Sequence, residues 1–176
     1  MELRHFEPGT ADARAITRVN ALAFREAYDE LLPDEVLAGF EADPSDEQLR
    51  EHADRLREDR KGIFLAELEG RVRGYGYVRW DEGTKAFVGR DEAGLKELYV
   101  EPDYWGEGAG TALLERCLEA LPEETEQLRL EMLAGNEVGR RFYEARGFER
   151  TGRSEFEIAG EAYPTVIYAL ETAAQR

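Results

Sequence analysis

Cysteine is nearly absent from this chain of 176 residues: Cys117 stands alone, so no internal disulfide can form and no cysteine-rich metal site is available. Histidine is almost as scarce. His5 and His52 are the two present, without a neighbouring set of ligands, which argues against a zinc centre, and no metal is expected. Lysine occurs only as Lys61, Lys85 and Lys96, the other basic residues being arginine. No apolar run approaches the roughly 20 residues that cross a bilayer, and the opening "MELRHFEPGT" lacks the apolar core of a signal peptide. The chain therefore reads as cytoplasmic, with no membrane partner. Positive charge is short too, with 23 Lys plus Arg against 39 Asp plus Glu, a formal net charge of -16. Nucleic acid as a partner needs a basic face to neutralise phosphates, and this balance argues against it.

What is present suffices for folding. Hydrophobic residues make up 42% of the chain and aromatics 10%, without a long low-complexity tract, so one domain over residues 1–176 is expected. The acid-rich, lysine-poor composition resembles that of proteins from salt-loving organisms, in which excess carboxylates keep the surface hydrated in concentrated salt.

Local patterns alternate between strands and helices. "ELRHF" has the period of a half-buried strand, and "TADARAITRVNALAFREAYDELL" spaces Ile16, Val19, Leu22, Ala23, Ala27 and Leu31 as an amphipathic helix that Pro33 follows. Ser45 opens a second helix over "SDEQLREHADRLRED". "GIFLAELEG" and "RVRGYGYVRW" form a hairpin about Glu69-Gly70, and "LKELYV" makes the next strand. A glycine loop leads into a helix whose buried stripe holds Gly110, Leu113, Leu114, Cys117, Leu118 and Leu121, ending before Pro122. Then come a strand "QLRLEML", a short helix "NEVGRRFYEAR" between Asn136 and Gly147, and strands around "FERTG" and "PTVIYAL". The order predicts a mixed α/β fold, a central sheet flanked by about four helices.

The segment "YVEPDYWGEGAGTALL" joins a strand, a glycine-rich turn and a helix start, where unpaired N–H groups converge and the helix dipole favours negative charge. A phosphate is the natural guest. A Walker loop would end Gly-Lys-Ser or Gly-Lys-Thr, whereas this one ends Gly-Ala-Gly-Thr. The dinucleotide fingerprint needs a third glycine where Thr111 stands. Taken alone, the pattern is also that of a glycine turn that merely starts a helix.

Two segments together are more specific. "ELYVEPDYWGEGAGTALLERCLEAL", followed after one strand by "NEVGRRFYEARGFERTG", resembles the two signature segments of the GCN5-related N-acetyltransferase superfamily, over Glu97 to Gly152. The resemblance implies a mostly antiparallel sheet and direct acetyl transfer from acetyl-coenzyme A to a primary amine, of a small molecule or a peptide N-terminus. It leaves a homodimer open. It assigns the cofactor to Trp105, Gly106, Glu107, Gly108, Ala109, Gly110 and Thr111 of the loop, to the backbone of Leu98, Tyr99 and Val100, and to Asn136 and Tyr143 of the second segment. Trp105 departs from the family's usual Gln or Arg and is expected to pack over the loop. Glu107 must point to solvent, and one of Arg140, Arg141 and Arg146 is a candidate partner for the nucleotide phosphates.

Chemistry assigns the catalytic roles. An alkyl ammonium with pKa about 10.4 must lose a proton before it attacks a thioester. Period-two alternation would put Leu95, Glu97 and Tyr99 on one strand face, which makes Glu97 the candidate base, while Tyr143 occupies the family's acid position and would protonate the leaving thiolate. Cys117, on a buried stripe, reads as core. Tyr28, Phe24 and "LLPDEVL" fall where the family builds its acceptor pocket. The alternative is a coenzyme A-binding regulatory domain without catalysis.

Overall fold

The computed structural model describes residues 1–175. Seven strands form one sheet: β1 (Glu2–His5), β2 (Ile63–Leu68), β3 (Arg71–Arg79), β4 (Glu92–Val100), β5 (Gln127–Leu133), β6 (Glu149–Ile158) and β7 (Glu161–Glu171), in the order β1-β2-β3-β4-β5-β7-β6. Every neighbouring pair is antiparallel except β4 with β5. Five α-helices accompany it: α1 (Thr10–Tyr28), α2 (Asp34–Leu37), α3 (Asp46–Glu58), α4 (Ala109–Glu119) and α5 (Glu137–Glu144). This is the expected mixed architecture. None of these helices is long and apolar enough to cross a membrane.

Two apolar layers hold the sheet. On one face Ile16 and Val19 of α1 and Leu56 of α3 pack against Leu65, Tyr75 and Tyr77. On the other, Leu113, Leu114 and Cys117 of α4 cover Phe64, Val78, Leu95 and Val100. The approach of α4 depends on Gly76 of β3, where an added Cβ would lie 2.8 Å from the Cys117 sulfur. The thiol is thus core, and burial pushes its pKa up to about 12, which leaves no thiolate for catalysis.

Local signals explain most element boundaries. Ser45 caps α3 through a reciprocal pair of bonds with Gln48, and the Asn136 side chain accepts from the Gly139 N–H at 2.9 Å to start α5. Glu69 and Gly70, both at positive φ, close the β2–β3 hairpin. Four elements differ from expectation. The first helix stops at Tyr28, and the "DEVL" after Pro33 forms α2, which folds Leu37 against Tyr28, Leu32 and Leu133. The last two strands extend into one long hairpin about Ala159-Gly160, where Ala159 takes a left-handed φ of 52° that sequence preference disfavours.

An ion triad anchors the end of β4. Glu101 is buried, its carboxylate held by Arg18 at 2.9 Å and Arg73 at 2.8 Å, while its N–H donates to the Arg73 carbonyl. Glu101→Gln would leave two guanidinium groups beside a neutral amide. Both arginines keep some solvent, so the loss should be about 2 kcal/mol rather than the full value for a dry pair, or roughly 4–8 °C in Tm by calorimetry. An unchanged Tm would show the triad to be electrostatically idle.

Candidate active site

The strands β4 and β5 pair only at their beginnings, Glu92 with Gln127, Ala93 with Leu128 and Gly94 with Arg129. Beyond Gly94 they diverge. The gap opens into a cleft of about 400 Å³ whose walls include Leu98 and Val100 from β4, Leu130 and Met132 from β5, Gly106, Gly108 and Thr111 from the loop, and Tyr143 from α5.

The edge of β4 along this gap is polar. Antiparallel ladders alternate their bonds, and since the Glu101 N–H donates to Arg73, the N–H of Tyr99 also turns to β3, opposite Tyr75. The N–H groups of Leu98 and Val100 then face the cleft. Of the expected backbone set of Leu98, Tyr99 and Val100, two N–H groups thus point to the cleft and one to β3. Tyr99 still lines the cleft, with its ring beside Tyr75 at 6.0 Å between centroids.

The loop is built for close approach. Gly108 has φ 86° as the N-cap of α4 and no side-chain cap, so the first N–H groups of the helix lack intrahelical acceptors. An added Cβ at Gly106 or Gly108 would meet nothing within 4 Å, which leaves an open cradle for a guest. Ala109 is buried under the loop and Gly110 packs against Phe142, whereas Glu107 is exposed and outside the cleft wall. The Trp105 indole N–H donates to the Val100 carbonyl at 2.7 Å and ties the loop back to β4.

Of the three candidate arginines, the structure brings one to the cleft. Arg140 is engaged by Glu137 and Glu144 on the outer face of α5, and Arg141 is exposed. Arg146 lines the cleft beside the start of α4. It donates to the Thr111 hydroxyl and to the Phe142 carbonyl, its guanidinium lies 3.6 Å from the Phe142 ring centroid, and its buried Nε has no partner. A phosphate held by loop amides would find a positive charge within reach.

Near the middle of the cleft the strand carries a bulge. Tyr77 pairs with Glu97 and Val78 with Leu95, leaving Lys96 as the extra residue. Period-two alternation therefore breaks, and Leu95 packs with α4 while Glu97 and Tyr99 face α1, a correction to the expected common face. Glu97 lines the cleft and accepts a 2.6 Å bond from the Tyr75 hydroxyl, which itself accepts from Asn20 at 3.0 Å. Tyr75 was not visible as a site residue, because its relation to Glu97 comes from strand pairing. Burial first, with the Glu97 charge next, holds the Tyr75 hydroxyl well above its ordinary pKa, so the bond stays a donation to the carboxylate.

Tyr143 sits half-buried between the rings of Phe142 and Phe148, at 5.1 and 5.2 Å between centroids. Among the described residues its hydroxyl takes no hydrogen-bond partner, so it is free to donate into the cleft. Burial raises its pKa, with Tyr28 adding to the shift, and keeps the proton in place throughout the neutral range. Asn136 lines the wall with both halves of its amide in use, one on Gly139 and the other donating to the Tyr28 hydroxyl at 3.3 Å. Tyr28 lines the cleft, whereas Phe24 stacks on Phe40 outside its wall. His52 bonds Thr17 at 3.0 Å, and burial lowers its pKa. No group of three or more potential metal ligands occurs among the described residues.

Comparison with known proteins agrees with this geometry. The model of the acetyltransferase (GNAT) family matches residues 24–148. An uncharacterized N-acetyltransferase of Mycobacterium tuberculosis is 31% identical over 151 residues, covering 84% of this chain and 89% of that one. Another, from Archaeoglobus fulgidus, is 33% identical over 97 residues, 54% of this chain and 65% of the relative, so the match spans just under two thirds of that protein. Among solved structures, the PaiA N-acetyltransferase of Thermoplasma acidophilum, in complex with coenzyme A, superposes with a TM-score of 0.70 at 17% identity, covering 97% of this chain and 99% of the other. The family match over most of the sequence, and the splayed strands and glycine loop of the fold, lead to one assignment: the chain belongs to the acetyltransferase (GNAT) family.

Proposed function

We propose that this chain is an acetyl-coenzyme A-dependent N-acetyltransferase, a single domain over residues 1–176 that transfers acetyl directly to a primary amine of a small molecule or peptide N-terminus. One observation carries the reading. A single cleft joins an anion cradle, at Gly106 to Thr111 with Arg146, to a carboxylate and a protonated phenol, Glu97 and Tyr143. The coenzyme A complex of the Thermoplasma relative supports the same cosubstrate.

Acetyl-coenzyme A supplies an activated acyl group as a thioester. The loop amides and Arg146 bind its pyrophosphate, and the N–H groups of Leu98 and Val100 hold the pantetheine arm and the thioester oxygen as charge develops there. Glu97, oriented by Tyr75, takes the proton from the acceptor ammonium directly or through water. The amine nitrogen bonds the acetyl carbon, the carbon–sulfur bond breaks, the departing sulfur receives the Tyr143 proton, and the surplus proton of the attacking nitrogen returns through water to the Tyr143 oxygen. Trp105 and Asn136 shape the walls. Glu107 turns its charge to solvent.

Glu97→Gln should flatten the rise of kcat/KM with pH while acetyl-coenzyme A still binds. A normal pH profile in this variant would remove Glu97 as the base. If the wild-type chain binds acetyl-coenzyme A and acetylates no amine at all, it is instead a coenzyme A-binding regulatory domain.

The acid-rich composition suits work in concentrated salt within the cytoplasm. At 1 M salt the Debye length is about 3 Å, so the repulsion between a chain of net charge -16 and a polyanion is screened while short contacts survive. Acetyl-coenzyme A affinity should hold or rise from 0.05 M to molar potassium chloride. Titration of the purified protein, with coenzyme A lacking its 3′-phosphate as comparison, tests the whole reading. Absence of saturable binding at any salt would overturn it.

A further inference from the structure

The acceptor end of the cleft has a neighbour. A smaller cavity of about 150 Å³ adjoins it, lined by Arg79, Lys85, Phe87, Lys96, Arg129 and Glu131 among others, and shares Leu95, Lys96 and Glu131 with the cleft. It gathers four cations, including two of the three lysines, in a chain where acids outnumber bases by 39 to 23.

These cations are only partly satisfied. Arg79 meets Asp59 at 3.1 Å and Arg129 meets Glu92 at 3.3 Å, yet the Nε of each guanidinium is buried without a partner. Lys85 contacts Glu131 at 2.6 Å with one of its three donors. Glu131 is already committed, since its other oxygen accepts from Thr165 at 2.6 Å. Lys96 reaches Glu97 only at 3.8 Å, beyond a hydrogen bond. Each cation thus has one carboxylate neighbour, and Arg129 bonds also to the Phe87 carbonyl and, at 3.3 Å, to the Thr151 hydroxyl, so the capacity left for an anion is that of Lys96 and of the remaining Lys85 donors.

We propose that the acceptor is a small amine that also carries a carboxylate, an amino acid, with its ammonium at Glu97 and its carboxylate in the basic recess at Lys96 and Lys85. The inference rests on the acetyltransferase reading of the same site. Lys96 and Glu97 are adjacent in sequence and present opposite charges 3.8 Å apart, which matches a molecule whose amine and carboxylate share one carbon. A polyamine would put its second ammonium beside Lys96 and Lys85, where the Glu131 carboxylate is already taken by Lys85 and Thr165. A peptide N-terminus would bring a neutral amide where the recess offers charge.

The test is an acceptor panel with acetyl-coenzyme A in 0.1 M salt: glycine, alanine, glutamate and phenylalanine, each beside its amide. The acids should exceed their amides in kcat/KM by about 10- to 100-fold, the range of one charge-assisted contact. Lys96→Met, and separately Lys85→Gln in case one variant folds poorly, should bring the acid down towards the amide through KM rather than kcat. Equal rates for acid and amide, a preference that survives both substitutions, or an enzyme that binds acetyl-coenzyme A and acetylates nothing in the panel would each overturn the inference and leave the cofactor site standing. Failure to bind acetyl-coenzyme A would remove the underlying reading as well.

Discussion

Gly108→Glu should abolish measurable binding of acetyl-coenzyme A, weakening it at least about 100-fold, which corresponds to some 2.8 kcal/mol. The backbone at this position has φ 86°, and the space its Cβ would enter contains no protein atom. The substitution thus meets little inside the apoprotein and acts on the guest, by filling the cradle and placing a carboxylate where phosphate oxygens would lie. A non-glycine residue at such a φ costs about 1–2 kcal/mol on its own. Gly108→Ala measures that cost without the charge. Titration of both variants separates the effects: comparable loss in both would attribute the defect to backbone strain, and intact affinity in Gly108→Glu would remove the loop from the phosphate site.

Tyr143→Phe should lower kcat about 100-fold with little change in acetyl-coenzyme A affinity, the low end of general acid contributions. The ring packing against Phe142 and Phe148 is retained, so stability should hold, and the loss appears in kcat alone. Because burial raises the pKa of this hydroxyl above its usual value near 10, the wild-type rate should show no alkaline decline caused by Tyr143 below about pH 10. Pre-steady-state measurement of thiol release checks both statements. Equal rates in Tyr143→Phe would reduce the residue to packing.

Much of this molecule is written locally. The glycine spacing before α4, Asn136 at the start of α5 and the Glu69-Gly70 hairpin are short-range signals, and the structure carries each at its expected place. What escaped depends on contacts distant in sequence. The bulge at Lys96 breaks a two-residue period that "LKELYV" would keep by itself, and only the pairing of β3 with β4 reveals it. The Arg146 bond to Thr111 spans 35 residues, so sequence could nominate three arginines without choosing among them. Ala159 at positive φ hid a hairpin that an Asn or Gly would have announced. Leu37 of α2 is buried by a cluster that includes Leu133 of β5, a contact no helical propensity in "DEVL" foretells.

The parting of β4 from β5 after Gly94 leaves the sheet with an interior seam, two strand edges whose backbone groups face one another without bonding. A pantetheine arm with its amide groups is a suitable filler, and on that view the cosubstrate behaves as a removable eighth strand. Its binding is then linked to the cohesion of the sheet. The two halves, β1 to β4 and β5 to β7, should loosen relative to each other without ligand, and Tm should climb with the logarithm of acetyl-coenzyme A concentration once Kd is passed. Amide hydrogen exchange at Leu98 and Val100 should slow on saturation, while Tyr99, already committed to β3, should change least of the three.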